Sequence, residues 1–188
     1  MGLLSKKNKP SQKAYAVVTG AGSGIGRSFA LELAKRGGDV ICADIELSSA
    51  QETVDLIQSM TSTSAYAVHC DVGLKESVHA LAEQAEQLLG HPVTLLINNA
   101  GVGLGGKFDE VSLEDWQWCM HVNLWGVIHG CHYFVPKFKQ QGFGAIINVA
   151  SAAGYTAAPE MTAYNVTKSS VLALSETLAS ELHAYNIA

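Results

Sequence analysis

Charge is scarce in this 188-residue chain: Asp, Glu, Lys and Arg make up only 15% of it, against 48% hydrophobic residues. That balance argues against disorder and for a well-covered sheet. Long basic runs are missing and the net charge is −5, so nucleic acid is not an expected partner. Cysteine is limited to Cys42, Cys70, Cys119 and Cys131, with no C-x-x-C spacing and no secretory leader ahead of them. The expectation is reduced thiols packed in the core of a cytoplasmic protein. No apolar run suits a membrane span: Met1 to Lys13 is polar and basic, with Leu3-Leu4 as its only apolar pair, and reads as a loose tail. Repeats and low-complexity blocks are absent as well. What is left suits one domain, from residue 14 to residue 188, long enough to bury a core.

The general dinucleotide fingerprint G-x-G-x-x-G is also missing. Counted from Gly20 it needs glycine where Ile25 stands, and counted from Gly22 where Arg27 stands. The chain has instead Thr19-Gly20-Ala21-Gly22-Ser23-Gly24-Ile25-Gly26. Before it, Ala14-Tyr15-Ala16-Val17-Val18 is rich in β-formers, and after it Phe29, Ala30, Leu33 and Ala34 recur at helical spacing. A turn without Cβ atoms lets a ligand approach the backbone, and the unpaired amides of the following helix favour a phosphate. Read alone, the same turn could be an ordinary tight loop.

Further along, Val40-Ile41-Cys42-Ala43 closes on Asp44, where an acidic residue accepts hydrogen bonds from the adenosine ribose in a dinucleotide-binding unit. A carboxylate repels a 2′-phosphate, and neither Ser23 nor Ile45 offers a compensating cation, so NAD is favoured over NADP; the plainer reading is an Asp that opens a turn. Ser48 and Ser49, with Gln51 and Glu52 three residues on, look like overlapping helix caps, as does Ser112 with Asp115. Strands are expected at 65–69, 93–97 and 144–149. The helices between them, including a long one through Asn123, give a strand-helix alternation that calls for a parallel sheet covered on both faces. Gly103 to Phe108 reads as a flexible segment. His129 and His132 share a helix face with Cys131 nearby, but no carboxylate completes a metal set and helix packing accounts for them. Asn123, on the same evidence, is a satisfied core or surface polar group.

Tyr164 and Lys168 are four residues apart, so a helix places both on one face. A phenol ordinarily titrates near 10, too high for a base at neutral pH, and a nearby ammonium favours the phenolate. Ser151, brought in from a strand end, could orient a substrate oxygen. By itself Tyr-x-x-x-Lys is as well explained as a surface pair.

Taken in order, Thr-Gly-x-x-x-Gly-Ile-Gly, Asn98-Asn99-Ala100-Gly101, Asn123, Ser151 and Tyr164-x-x-x-Lys168 resemble the signatures of the classical short-chain dehydrogenase/reductases. The resemblance covers nearly the whole chain after the tail. It implies a Rossmann-like, doubly wound α/β fold of three layers. It implies cofactor contacts from Gly20, Ser23, Gly24, Ile25, Gly26, Asp44, Asp71, Val72, Asn99, Ala100, Gly101, Tyr164 and Lys168, with Asp71 and Val72 on the adenine. It implies a catalytic tetrad of Asn123, Ser151, Tyr164 and Lys168, in which Asn123 holds a water in a proton relay to Lys168 and Lys168 also touches the nicotinamide ribose. The implied substrate is a small alcohol or ketone, no membrane is involved, and two helices, roughly Ser112 to Lys139 and Tyr164 to His183, would pair subunits into a homodimer or homotetramer.

Classical members continue beyond the last helix into a sixth strand, a Pro-Gly segment, a substrate loop and a seventh strand, whereas this sequence runs to Asn186-Ile187-Ala188. The expectations are a sheet lacking the last two family strands, Ala145-Ile146-Ile147 as an exposed edge, and a truncated chain that dimerises or aggregates unless that edge is covered. The alternative to an enzyme is a truncated nucleotide-binding or interaction module without turnover.

Overall fold

The computed structural model describes residues 9–188, so the tail reading of residues 1–8 lies outside the described residues. Strands and helices alternate as β1 (Tyr15–Thr19), α1 (Gly24–Lys35), β2 (Asp39–Asp44), α2 (Leu47–Met60), β3 (Ala65–His69), α3 (Lys75–Leu89) and β4 (Leu95–Asn98). They continue as α4 (Leu113–Met120), a π turn (His121–Trp125), α5 (Gly126–Gln141), β5 (Ala145–Asn148) and α6 (Thr162–Leu182). The five strands are parallel, in the order β3-β2-β1-β4-β5. The order reverses between β1 and β4, and the carboxyl ends of those two strands open the crevice where ligands bind in such sheets.

Strand alternation sends apolar side chains to both faces, which is why the strands read as continuous hydrophobic runs. Val17, Ile41 and Leu96 pack with Val78, Leu81 and Ala85 of α3 and Phe134 and Phe138 of α5. Their neighbours Val18, Val40, Cys42, Leu95 and Ile97 pack on the other face with Ala30 and Leu33 of α1 and Val54 and Ile57 of α2. The result is the three-layer doubly wound α/β fold. Gly37 and Gly38 close α1, their amides donating to Ala34 O and Leu33 O at 2.9 and 3.0 Å.

Several local expectations shift. Ser48 and Ser49 do not cap α2. Glu46 precedes its first residue and its amide donates to Asp44 Oδ1 at 3.0 Å, so the helix begins earlier and both serines fall in its first turn. The fourth strand starts at Leu95 rather than Val93, and the long helix is divided by the π turn. The β5 edge is not bare: Ile146 N donates to Ala188 O at 2.8 Å and Ala188 N to Gly144 O at 3.0 Å, with Ile187 buried in the core. Ile147, on the opposite face, stays 41% exposed.

Candidate active site

The glycine turn owes its shape to close approach. Gly20 has φ +64°, and a Cβ there would stand 2.8 Å from Ala100 Cα; one on Gly26 would strike Gly20 O and Asn99 Nδ2. These glycines let the β1 and β4 turns interlock. Thr19 Oγ1 accepts from the amides of Asn99 and Ala100 at 3.0 and 3.1 Å, and Asn99 Nδ2 donates to Thr19 O at 2.9 Å. Ser23, Gly24 and Ile25 stay exposed at the start of α1, where free helix amides and the helix dipole favour an anion.

Asp44 lies at the end of β2, its Oδ2 accepting from Gly22 N at 2.8 Å. The carboxylate thus fixes the glycine turn. Behind it, buried Thr53 donates to Ala21 O at 2.8 Å and accepts from Arg27 Nε at 2.9 Å, while the Arg27 guanidinium also bonds Gly22 O and pairs with Glu52. Thr19, Arg27 and Thr53 brace the site and were not among the expected residues. Only Thr19, as the Thr of Thr-Gly-x-x-x-Gly, carried a sequence signal.

At the end of β3, Asp71 Oδ1 accepts from Gly73 N at 2.9 Å. Val72 is buried, so its side chain serves packing and only its backbone is left for a ligand.

Asn123 lies within the π turn and is fully buried; such turns recur at functional sites. Its carboxamide pairs with both polar atoms of Val102: Oδ1 accepts from the amide at 2.7 Å and Nδ2 donates to the carbonyl at 2.8 Å. Nδ2 also lies 3.3 Å from Cys119 Sγ and 3.4 Å from Thr167 Oγ1. The side chain is therefore a saturated polar group that ties the segment after β4 to the helix.

Tyr164 and Lys168 share one face of α6, with Lys168 Nζ 5.7 Å from the Tyr164 ring centroid. Lys168 is 5% exposed, and Nζ donates to Val149 O at 2.9 Å. Burial pushes its pKa below the ordinary lysine value and raises that of the Cys119 thiol behind it. Gly101 separates the two buried groups: a Cβ there would lie 3.2 Å from Asn123 Oδ1 and 3.5 Å from Lys168 Nζ. Ser151 stands two residues beyond Val149, its hydroxyl accepting from Ala153 N at 3.1 Å. The structure thus gathers Gly101, Asn123, Tyr164 and Lys168 at the ends of β4 and β5, while Ser151 keeps a local bond on the adjoining loop. The segment at 103–108, read as flexible, is pinned by Gly106 N donating to Glu160 O at 2.7 Å.

A family model described as short chain dehydrogenase matches residues 14–188. The chain belongs to the short chain dehydrogenase family. A cyclohexanol dehydrogenase from Acinetobacter is 38% identical over 175 residues, 93% of this chain and 68% of that protein. A probable oxidoreductase EphD from Mycobacterium tuberculosis is 36% identical over 171 residues, 90% of this chain but 28% of that protein. A short chain dehydrogenase/reductase from Burkholderia phymatum, solved in complex with NAD, superimposes with a TM-score of 0.90 at 38% identity, covering 96% of this chain and 65% of that one. The chain therefore spans between about a quarter and two thirds of these short chain dehydrogenases and related oxidoreductases.

His129 and His132 are occupied within the fold, His129 against Val72 O at 3.0 Å and His132 edge-on to Tyr133 at 5.0 Å between ring centroids. Among the described residues no group of three or more His, Cys, Asp or Glu could hold a metal, and no helix is long and apolar enough to cross a membrane.

Proposed function

We propose that this domain is the cofactor-binding and catalytic portion of an NAD(H)-dependent oxidoreductase acting on an alcohol or carbonyl substrate. The observation that carries this reading is the convergence of Lys168, Tyr164 and Asn123 beside Gly101 at the ends of β4 and β5, next to the β1–β4 crevice where the strand order reverses. A dinucleotide fits the cradle: the turn leaves no room for side chains at Gly20 and Gly26, and helix amides open beside it. Gly20, Ser23, Gly24, Ile25 and Gly26 would hold the phosphates, Asp44 the adenosine ribose, Asp71 and Val72 the adenine, and Asn99, Ala100, Gly101, Tyr164 and Lys168 the nicotinamide half. The Asp44 carboxylate favours NAD and disfavours the extra phosphate of NADP. Bound there, the nicotinamide supplies or accepts a hydride.

The chain's own residues handle the proton. Tyr164 gives it to the substrate oxygen in reduction and takes it in oxidation. Lys168, a cation beside the ring, stabilises the phenolate left behind. Ser151 orients the substrate oxygen once its hydroxyl turns from Ala153. Asn123 holds the π turn and Val102 in place, and in the relay reading its segment holds a water through which a proton reaches Lys168.

A cytoplasmic setting agrees with four free, buried cysteines. A homodimer or homotetramer agrees with a groove of about 620 Å³ along α5 and α6, lined by Ile128, Val135, Leu174 and Leu178. NADH fluorescence, compared with NADPH, tests the cofactor assignment; oxidation of bound NADH by a panel of small ketones in the same cuvette tests the reaction. Tight NADH binding with turnover is expected. Binding without turnover would leave a nucleotide-binding module, and binding of neither nucleotide would overturn the reading.

A further inference from the structure

The loop after β3 lies across the helix that carries Asn123. Gly73 meets the start of the π turn, where a Cβ would stand 3.5 Å from His121 Cβ. Val72 settles over Gly126: a Cβ on that glycine would come within 2.8 Å of Val72 Cγ2, so a larger residue would push the loop away. One helical turn on, His129 Nδ1 lies 3.0 Å from the Val72 carbonyl. A carbonyl oxygen only accepts, so Nδ1 carries the proton and the imidazole is the donor. The loop's other side-chain bonds are local: Asp71 Oδ1 accepts from Gly73 N and Ser77 Oγ from Asp71 N. Among the described residues, His129 is the side-chain hydrogen bond that joins this loop to the catalytic helix.

We infer that His129 is a positioning residue for the adenine end of the cofactor, acting through Val72; the inference rests on the cofactor site proposed above. With the Val72 side chain and carbonyl both turned to the helix, the Asp71 side chain and the Val72 N–H are the loop's groups left to meet an adenine edge. Holding them in place before binding lowers the ordering cost that the nucleotide would otherwise meet. The hydride and proton chemistry lies at the other end of the dinucleotide, so the anchor bears on affinity and not on the chemical step.

Two variants separate this role from general stability. His129→Leu removes the donor at similar size, whereas His129→Asn keeps one, because its Nδ2 occupies the place of Nδ1. NADH, AMP and reduced nicotinamide mononucleotide are titrated into the parent and both variants, with melting temperatures and kcat at saturating NADH. His129→Leu is expected to weaken NADH and AMP about three- to tenfold, the worth of one hydrogen bond. It leaves the mononucleotide and kcat within about twofold, and His129→Asn restores AMP binding. The inference is overturned by a leucine variant that binds AMP as the parent does, by equal weakening toward the mononucleotide, or by an asparagine variant that restores nothing. A parent that binds neither NADH nor AMP removes the cofactor reading and this inference with it; a parent and leucine variant that bind equally well remove the inference alone.

Discussion

The two rims of the crevice are built on different terms. On the rim proposed for the nucleotide, hereafter the nucleotide rim, Thr19, Asp44, Thr53 and Asn99 each pair with backbone from a neighbouring segment, and the strands behind them are buried on both faces. On the rim proposed for catalysis, hereafter the catalytic rim, β5 is only partly covered, Lys168 gives one bond to Val149 O, and Phe108 and Tyr155 stand exposed on the flanking loops. A cofactor of fixed shape suits a rim whose polar groups are already satisfied. A reacting group needs polar atoms held in place but not used up.

The comparison is broken most sharply at the catalytic rim. Tyr164→Phe keeps the ring and removes the proton. It is expected to lower kcat by about 10²- to 10⁴-fold while NADH titration still shows binding, weakened far less than turnover; turnover that survives would take Tyr164 out of the reaction. On the nucleotide rim the next effect concerns folding and binding together. Gly26→Ala forces a methyl against Gly20 O and Asn99 Nδ2, an overpacking cost of about 2 kcal/mol that lowers Tm by roughly 4–8 °C. NADH binding should fall with it. A variant that melts and binds like the parent would show that the interlock of the two turns is loose.

Asp44→Asn sharpens the same rim. Both carboxylate oxygens accept from amides, Oδ2 from Gly22 and Oδ1 from Glu46, so an asparagine must set its NH₂ against one of those N–H groups. NADH affinity is expected to fall about tenfold and NADPH affinity less, narrowing the preference; an unchanged ratio of the two in paired titrations would remove Asp44 from cofactor selection.

Much of the nucleotide rim was legible in sequence because its signals are local. β3 was expected at Ala65–His69 and lies there, and β1 and β2 were found within a residue. Ser112 caps α4 as read, accepting from Asp115 N at 3.0 Å. What was not legible acts at a distance or leaves no residue pattern. The π turn changes the helical bonding around Asn123 without changing the apolar spacing that marks a helix. The bond from His129 to Val72 joins residues far apart in the chain. At α2 the sequence misled, because the serine pattern was genuine but Asp44 had already started the helix by holding Glu46 N.

The smallest expected effect tests whether the catalytic rim carries a cost for its function. Burial lowers the Lys168 pKa, so the folded state binds this proton less readily than the unfolded chain and a charged Lys168 destabilises the fold. That penalty is full below the lowered folded value and fades as pH rises through it toward the ordinary lysine value near 10.4. Lys168→Met fills similar space without charge, at the loss of the bond to Val149 O. The variant should be inactive yet melt about 2–4 °C higher near neutral pH, corresponding to roughly 1 kcal/mol. The gap from the parent should close as pH rises through that window, because there the parent sheds its own penalty and the methionine has none to shed. A variant that melts lower than the parent at neutral pH would mean that the bond to Val149 outweighs the cost of burying the ammonium, and the catalytic rim would then be as well satisfied as the nucleotide rim.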